Sequence, residues 1–143
     1  MTKSYRLTPM RRIANGLMRQ LLRLGLAPRT TMLLTVPGRR SGTPRSTPVT
    51  LVEEDGQRWL VAPYGPVGWV LNARAAGQVE LSRGRRSETV RVKELAPEAA
   101  APVLKAYVER VPITRPYFDV APDAPLAAFA AEAAKHPVFQ VVP

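Results

Sequence analysis

The sequence predicts an α+β domain of about six short, mostly antiparallel strands with a few flanking helices. Three observations carry this. Two hairpin signals, Glu54-Asp55-Gly56-Gln57 and Gly84-Arg85, each separate runs with strand-like alternation. Helical spacing is confined to a few segments, chiefly near the two ends of the chain. The order of elements is helix, three strands, short helix, two strands, helices, strand. That order favours a small barrel or a strongly bent sheet.

The first element is a helix. Thr8 suits the N-cap and Pro9 the first helical position. Ile13, Leu17, Leu21 and Leu24 recur at helical spacing, Arg12, Arg19 and Arg23 share another face, and Gly25 and Pro28 end the run. Residues 1–28 therefore form a basic amphipathic segment. Its apolar face (Met10, Leu17, Met18, Leu21, Leu22) suits packing on a core, or peripheral contact with an anionic membrane.

Strands follow. Thr31 to Val36 reads as buried, and Arg45 to Glu53 as the next strand. Pro48 inside it implies an edge position or a bulge, because proline cannot donate to a ladder. Arg58 to Ala62 is the third strand. Pro63-Tyr64-Gly65-Pro66-Val67-Gly68 is a restricted loop, and a short helix from Trp69 to Ala76 ends at Gly77. Gln78 to Arg83 and Glu88 to Leu95 make a hairpin. Pro97 starts a helix with Val103, Leu104, Tyr107 and Val108 on its apolar face. A proline-rich loop from Pro112 to Pro125 leads to an alanine-rich helix ending near Lys135, and Val138 to Val142 is the last strand.

The 143 residues suit one domain, 1–143, with 45% hydrophobic content to fill a core. Cysteine is absent and His136 is the single histidine. Disulfide frameworks, thiolate nucleophiles and His-rich metal clusters are thereby excluded, and no metal site is expected. The chain lacks a secretory signal pattern and any run of membrane-spanning length, which suits a cytoplasmic protein, with the inner membrane face as a peripheral option. A net charge of +10 attracts anions of any kind. The basic residues are scattered over a helix, two turns and a hairpin tip, with no nucleic-acid recognition motif, so no specific nucleic-acid partner is expected.

Charge is concentrated at Gly38-Arg39-Arg40-Ser41-Gly42-Thr43-Pro44-Arg45. Glycine lets backbone N–H groups approach a ligand, and arginine forks bind phosphate and carboxylate oxygens in pairs. Such a turn is an anion cradle, or else a solvated β-turn that is basic. The remaining candidates have structural alternatives: Trp69 as a core aromatic, Asn72 as a local backbone cap, His136 as a helix-terminal residue.

The strand–GRRSGTPRSTP–strand–EDGQRW–VAPYGPVGWVLNARAAG order resembles the deazaflavin-dependent nitroreductase family, over roughly Met32 to Leu95. The resemblance implies a split β-barrel, coenzyme F420 and hydride transfer to a quinone, nitroaromatic or other electron-poor acceptor. It places the coenzyme's phosphate and acidic tail on Gly38, Arg39, Arg40, Ser41, Gly42 and Arg45; on charge alone, Arg74 or Arg86 would add to such a groove. It sets Pro48 beside the ring, and the backbone of Ala62, Pro63, Tyr64 and Gly65 against it. Trp69 and Asn72 would line the same site from the short helix. Tyr64 and Tyr117 are the candidate catalytic residues, as donors to the acceptor oxygen. Members often carry Ser-Lys-Gly-Gly and a longer loop before the tryptophan; here the loop is Tyr-Gly-Pro-Val-Gly and the lysine is absent. The resemblance also implies a homodimer. The competing expectations are an FMN enzyme of the same architecture and a non-catalytic carrier of a coenzyme or hydrophobic ligand.

Overall fold

The computed structural model describes residues 16–18, which are helical, and residues 30–142. The amphipathic segment expected at 1–28 lies almost wholly outside the described residues. Six strands close into an antiparallel barrel: β1 (Thr31–Pro37), β2 (Pro44–Glu54), β3 (Gln57–Val61), β4 (Gln78–Arg83), β5 (Arg86–Glu94) and β6 (Val138–Val142). Around the barrel the order is β1-β2-β3-β6-β5-β4, and the β1–β4 pair closes it. Helix α1 (Gly68–Ala76) joins β3 to β4. Helix α2 (Pro97–Arg110), a 3-10 turn (Pro112–Tyr117) and helix α3 (Leu126–Glu132) lie between β5 and β6.

The two-residue side-chain period of a strand sorts these segments into two cores. Leu34 and Val36 of β1, Val49 and Leu51 of β2, Leu60 of β3, Val79 and Leu81 of β4 and Phe139 of β6 fill the barrel. The alternate residues Val52, Val61 and Val138 pack outward with α2 and α3, on Leu104, Val108 and Phe129. The β2-β3-β6 wall is thus covered on both faces. Leu34, Leu60 and Leu81 are fully buried, so truncating any of them to alanine costs about 2–5 kcal/mol.

Both hairpins form as expected. Asp55 (φ 52°) and Gly56 (φ 78°) occupy the left-handed positions of a two-residue turn. Strand β2 has β3 beside it only from Leu51 to Glu54, whereas β1 flanks it from Pro44 to Thr50. Pro48 falls in the one-sided stretch, so the closed barrel keeps a local edge where a missing N–H is tolerated. That open stretch is also where a ligand can reach the strand.

Two expectations shift. The Pro112–Pro125 segment begins with a 3-10 turn, whose prolines at 112 and 116 suit a tight, donor-poor coil. The alanine-rich helix stops at Glu132 rather than near Lys135. Pro137 disfavours helical geometry at His136, and the Lys135 and His136 N–H groups both fold back onto the Glu132 carbonyl.

Candidate functional site

The β1–β2 turn is a closed loop. The Gly38 N–H donates to the Thr43 carbonyl at 2.9 Å, and the Gly42 N–H donates to the Gly38 carbonyl at 2.8 Å. Gly42 has φ 72°, which an L side chain adopts only with strain. The Ser41 hydroxyl accepts the Thr43 N–H at 3.2 Å, and Thr35 and Ser46 hydroxyls meet at 2.7 Å across the strands below.

Helix α1 anchors this turn. Asn72 is 3% exposed, and its Oδ1 accepts both the backbone N–H and the Nη1 of Arg39, each at 3.0 Å. The local-cap alternative for Asn72 is therefore replaced by a long-range one, from α1 to the basic turn. Gly38, Arg39, Arg40, Ser41, Arg45, Gly68 and Asn72 line one cleft of about 320 Å³. The end of α1 that reaches it is the N-terminal one, whose dipole favours an anion. Arg74 and Arg86 are not among these lining residues: Arg74 makes a two-point ion pair with Glu94, and Arg86 sits on the β4–β5 hairpin.

A second, mostly apolar slot of about 180 Å³ lies along β2. Its first wall is Thr47, Pro48, Val49 and Thr50, with Pro63, Tyr64, Val67 and Trp69 from the loop and α1. Its second is Tyr107, Val111, Ile113 and Thr114, where α2 passes into the 3-10 turn. Trp69 serves both core and slot, since it also packs against Phe139 with ring centroids 5.9 Å apart.

The expected residues divide accordingly. Pro48, Pro63, Tyr64 and Trp69 line the slot, while Gly42 closes the cradle turn from outside the cleft lining. Ala62 is fully buried behind the slot, its N–H donating to the Pro137 carbonyl at 2.9 Å. Gly65 (φ 94°) is buried, and an added Cβ would stand 3.4 Å from the Lys135 carbonyl. Tyr117 does not line the slot; it is 7% exposed and meets Tyr64 edge-on, with centroids 4.9 Å apart. It backs Tyr64 rather than facing the slot. Tyr107 and Thr114 were not singled out as site residues. Tyr107 carried only a core signal, and Thr114 comes back toward the slot through the 3-10 turn.

Beneath the Pro63–Gly65 loop lies a buried polar cluster. His136 is 4% exposed and stacks on Phe118 at 3.9 Å, with Nε2 3.7 Å from Glu132 Oε1. Burial pushes the imidazole below its ordinary value, against the pull of the Glu132 carboxylate and the nearby Pro63 and Ala62 backbone. Neither ring nitrogen makes a well-formed hydrogen bond. Glu132 is held by the Asp119 N–H at 2.8 Å and by Lys135 Nζ at 3.0 Å. Among the described residues no group of His, Cys, Asp and Glu could hold a metal, and no helix is long and apolar enough to cross a membrane.

A closed six-stranded barrel with a basic cradle and an apolar slot on β2 and α1 has the architecture of the split-barrel oxidoreductases that bind flavin or deazaflavin coenzymes. Residues 8–120 match the family of F420H(2)-dependent quinone reductases, and the chain belongs to that family. An F420-H2 dependent reductase (FDR-A) is 26% identical with a TM-score of 0.55, the match covering 80% of this chain and 95% of that one. A domain-swapped dimer is 23% identical, TM-score 0.58, over 94% of this chain and 100% of the other. A NimC/NimA family protein from Clostridium acetobutylicum, 14% identical at TM-score 0.55, shares the fold over 87% of this chain and 81% of its own. No curated protein matches the chain. The protein is an F420-dependent oxidoreductase that reduces a small-molecule electron acceptor.

The residues present fit that coenzyme. The cleft lining carries three arginines and no carboxylate among the described residues, as a phosphate with an acidic tail requires. The turn is also packed to hold them: a Cβ at Gly38 would stand 2.9 Å from Ser41 Oγ and 3.4 Å from Arg45 Nε.

Proposed function

We propose that this protein passes hydride from reduced F420 to a quinone, a nitroaromatic or a related electron-poor acceptor. The carrying observation is that an arginine cleft and a mostly apolar slot are built on the same two elements, β2 and the N-terminal end of α1. Gly38, Arg39, Arg40, Ser41, Gly42 and Arg45 would hold the phosphate and acidic tail, with Asn72 orienting Arg39. Pro48, Trp69 and the loop from Ala62 to Gly65 would position the ring. The coenzyme supplies the hydride; the protein orients the partners and excludes water. Tyr64, 38% exposed at the slot, would donate to the acceptor oxygen, with Tyr117 fixing its ring.

A fluorescence titration with F420, beside one with FMN, tests this. Saturable binding of F420 in preference to FMN, lost in an Arg39→Ala/Arg45→Ala variant, is expected. Preference for FMN would move the assignment to the flavin enzyme. Binding without turnover across quinones and nitroaromatics would favour the carrier. Residues 1–143 are taken as one split-barrel domain, and the basic segment at 1–28 as a contact for anionic membrane at the cytoplasmic face. Co-sedimentation with anionic liposomes at low salt should be lost on removing 1–28. The domain-swapped relative makes a homodimer the expected assembly, to be read by sedimentation equilibrium.

A further inference from the structure

The second wall of the slot carries hydroxyls that the proposed function does not use. Helix α2 ends just beyond Tyr107, where the Val111 N–H donates to the Tyr107 carbonyl at 2.9 Å. The chain then coils back, and Thr114 comes to rest over the last turn of the helix. Thr114 Oγ1 donates to the Val111 carbonyl at 2.8 Å, and its N–H reaches the same carbonyl at 3.1 Å. With its own proton committed, Thr114 Oγ1 can accept. Tyr107 and Thr114 both line the slot, and the Thr114 hydroxyl and the Tyr64 phenol lie near enough to act on the Tyr107 phenol.

Tyr107 and Tyr64 differ in exposure. Tyr107 is 3% exposed and Tyr64 38%, so water competes for the Tyr64 phenol and hardly reaches the other. Burial holds the Tyr107 phenol well above its ordinary range, so it keeps its proton at any working pH and remains a donor. A mostly apolar site with a few fixed polar groups takes its selectivity from those groups.

We propose that Tyr107, with Thr114 beside it in the slot wall, is the hydrogen-bond donor that recognises a carbonyl or nitro oxygen of the acceptor within the slot. This rests on the proposal above that the acceptor oxygen meets Tyr64 at the slot. When an oxygen arrives, the Tyr107 O–H turns to the ligand, while Thr114 keeps its bond to the Val111 carbonyl. Only a hydroxyl rotation is involved. Charge gathered on the acceptor oxygen during reduction strengthens this bond, so it favours turnover as well as binding.

The test compares 1,4-naphthoquinone with naphthalene, which has the same fused rings and no oxygen. Equilibrium binding to the full chain is followed by tryptophan fluorescence, Trp69 being in the slot wall. Tyr107→Phe should weaken naphthoquinone about fivefold to tenfold and leave naphthalene unchanged. Thr114→Val should lower the same selectivity ratio, and serves if Tyr107→Phe folds poorly. Steady-state kcat/KM for naphthoquinone should fall about tenfold to a hundredfold, with F420 affinity unchanged. Val67→Phe, which fills the slot, should abolish binding of both aromatics. If Val67→Phe blocks both ligands but the ratio survives Tyr107→Phe and Thr114→Val, Tyr107 is not the donor. If Val67→Phe leaves both affinities intact, the slot is not the acceptor site and the underlying assignment fails instead.

Discussion

The cradle and the slot share β2 and α1 but are built on opposite principles. The cradle is mainly one turn, with Arg39, Arg40 and Arg45 all exposed. The slot is assembled from β2, the Pro63–Trp69 segment and the α2–3-10 junction, and its side chains are mostly apolar. One region offers charge and grips by electrostatics that salt screens. The other offers shape and a few hydroxyls in a drier setting, where a single hydrogen bond discriminates more strongly. Coenzyme affinity should therefore reside in the cradle and acceptor choice in the slot.

The largest expected effect separates the two directly. Arg39→Ala/Arg45→Ala removes charge-assisted hydrogen bonds worth about 1.5–3 kcal/mol each, so F420 affinity should drop about a hundredfold or more. The salt dependence of binding should flatten, while kcat at saturating coenzyme changes little. A collapse of kcat with intact affinity would break the division of labour. Asn72→Ala comes next: it frees Arg39 from two hydrogen bonds, for about a tenfold loss of coenzyme affinity. Because Asn72 acts through Arg39, adding Asn72→Ala to Arg39→Ala should cost little more, a non-additivity that a double-mutant cycle measures.

Two glycines sharpen the comparison within the cradle. Gly38→Ala presses on Ser41 Oγ and Arg45 Nε, and should weaken F420 severalfold with little change in melting temperature. Gly42→Ala meets nothing within 4 Å but is forced to φ 72°. It should cost about 1 kcal/mol, or about 2–4 °C in Tm. Equal effects of the two on coenzyme binding would mean that the turn acts only as a backbone scaffold.

The smallest effect concerns the floor beneath the slot loop. The folded-state pKa of His136 lies below the ordinary 6.5, because burial outweighs Glu132. As pH falls, the unfolded chain takes the proton first. The contribution of His136 is intact above pH 6.5, and is lost as pH drops through that value to the folded-state pKa. Urea midpoints should decline across this interval, and His136→Phe should reduce the slope.

Much of the cradle was legible because it is contiguous. Glycines, arginines and hydroxyls in one short turn state their chemistry without help from the rest of the chain. The hairpins at Asp55-Gly56 and Gly84-Arg85 were legible for the same reason, since left-handed turn positions name their residues. The Asn72–Arg39 link, by contrast, joins positions 33 apart in sequence. Tyr117 sits in a loop and looks available from sequence, and only packing shows that it is 7% exposed and edge-on to Tyr64. Tyr107 hid because, in an amphipathic helix pattern, an aromatic on the apolar face looks like core.

The sequence by itself determined the strands, the turns, the basic cradle and the family, because these rest on local backbone preference, two-residue alternation and contiguous motifs. Tertiary structure alone decided which hydroxyls face the slot, which arginines remain for an anion and where Pro48 finds an open edge. Those depend on barrel closure and on α2 packing against it, which bring together groups distant along the chain and set what water can reach.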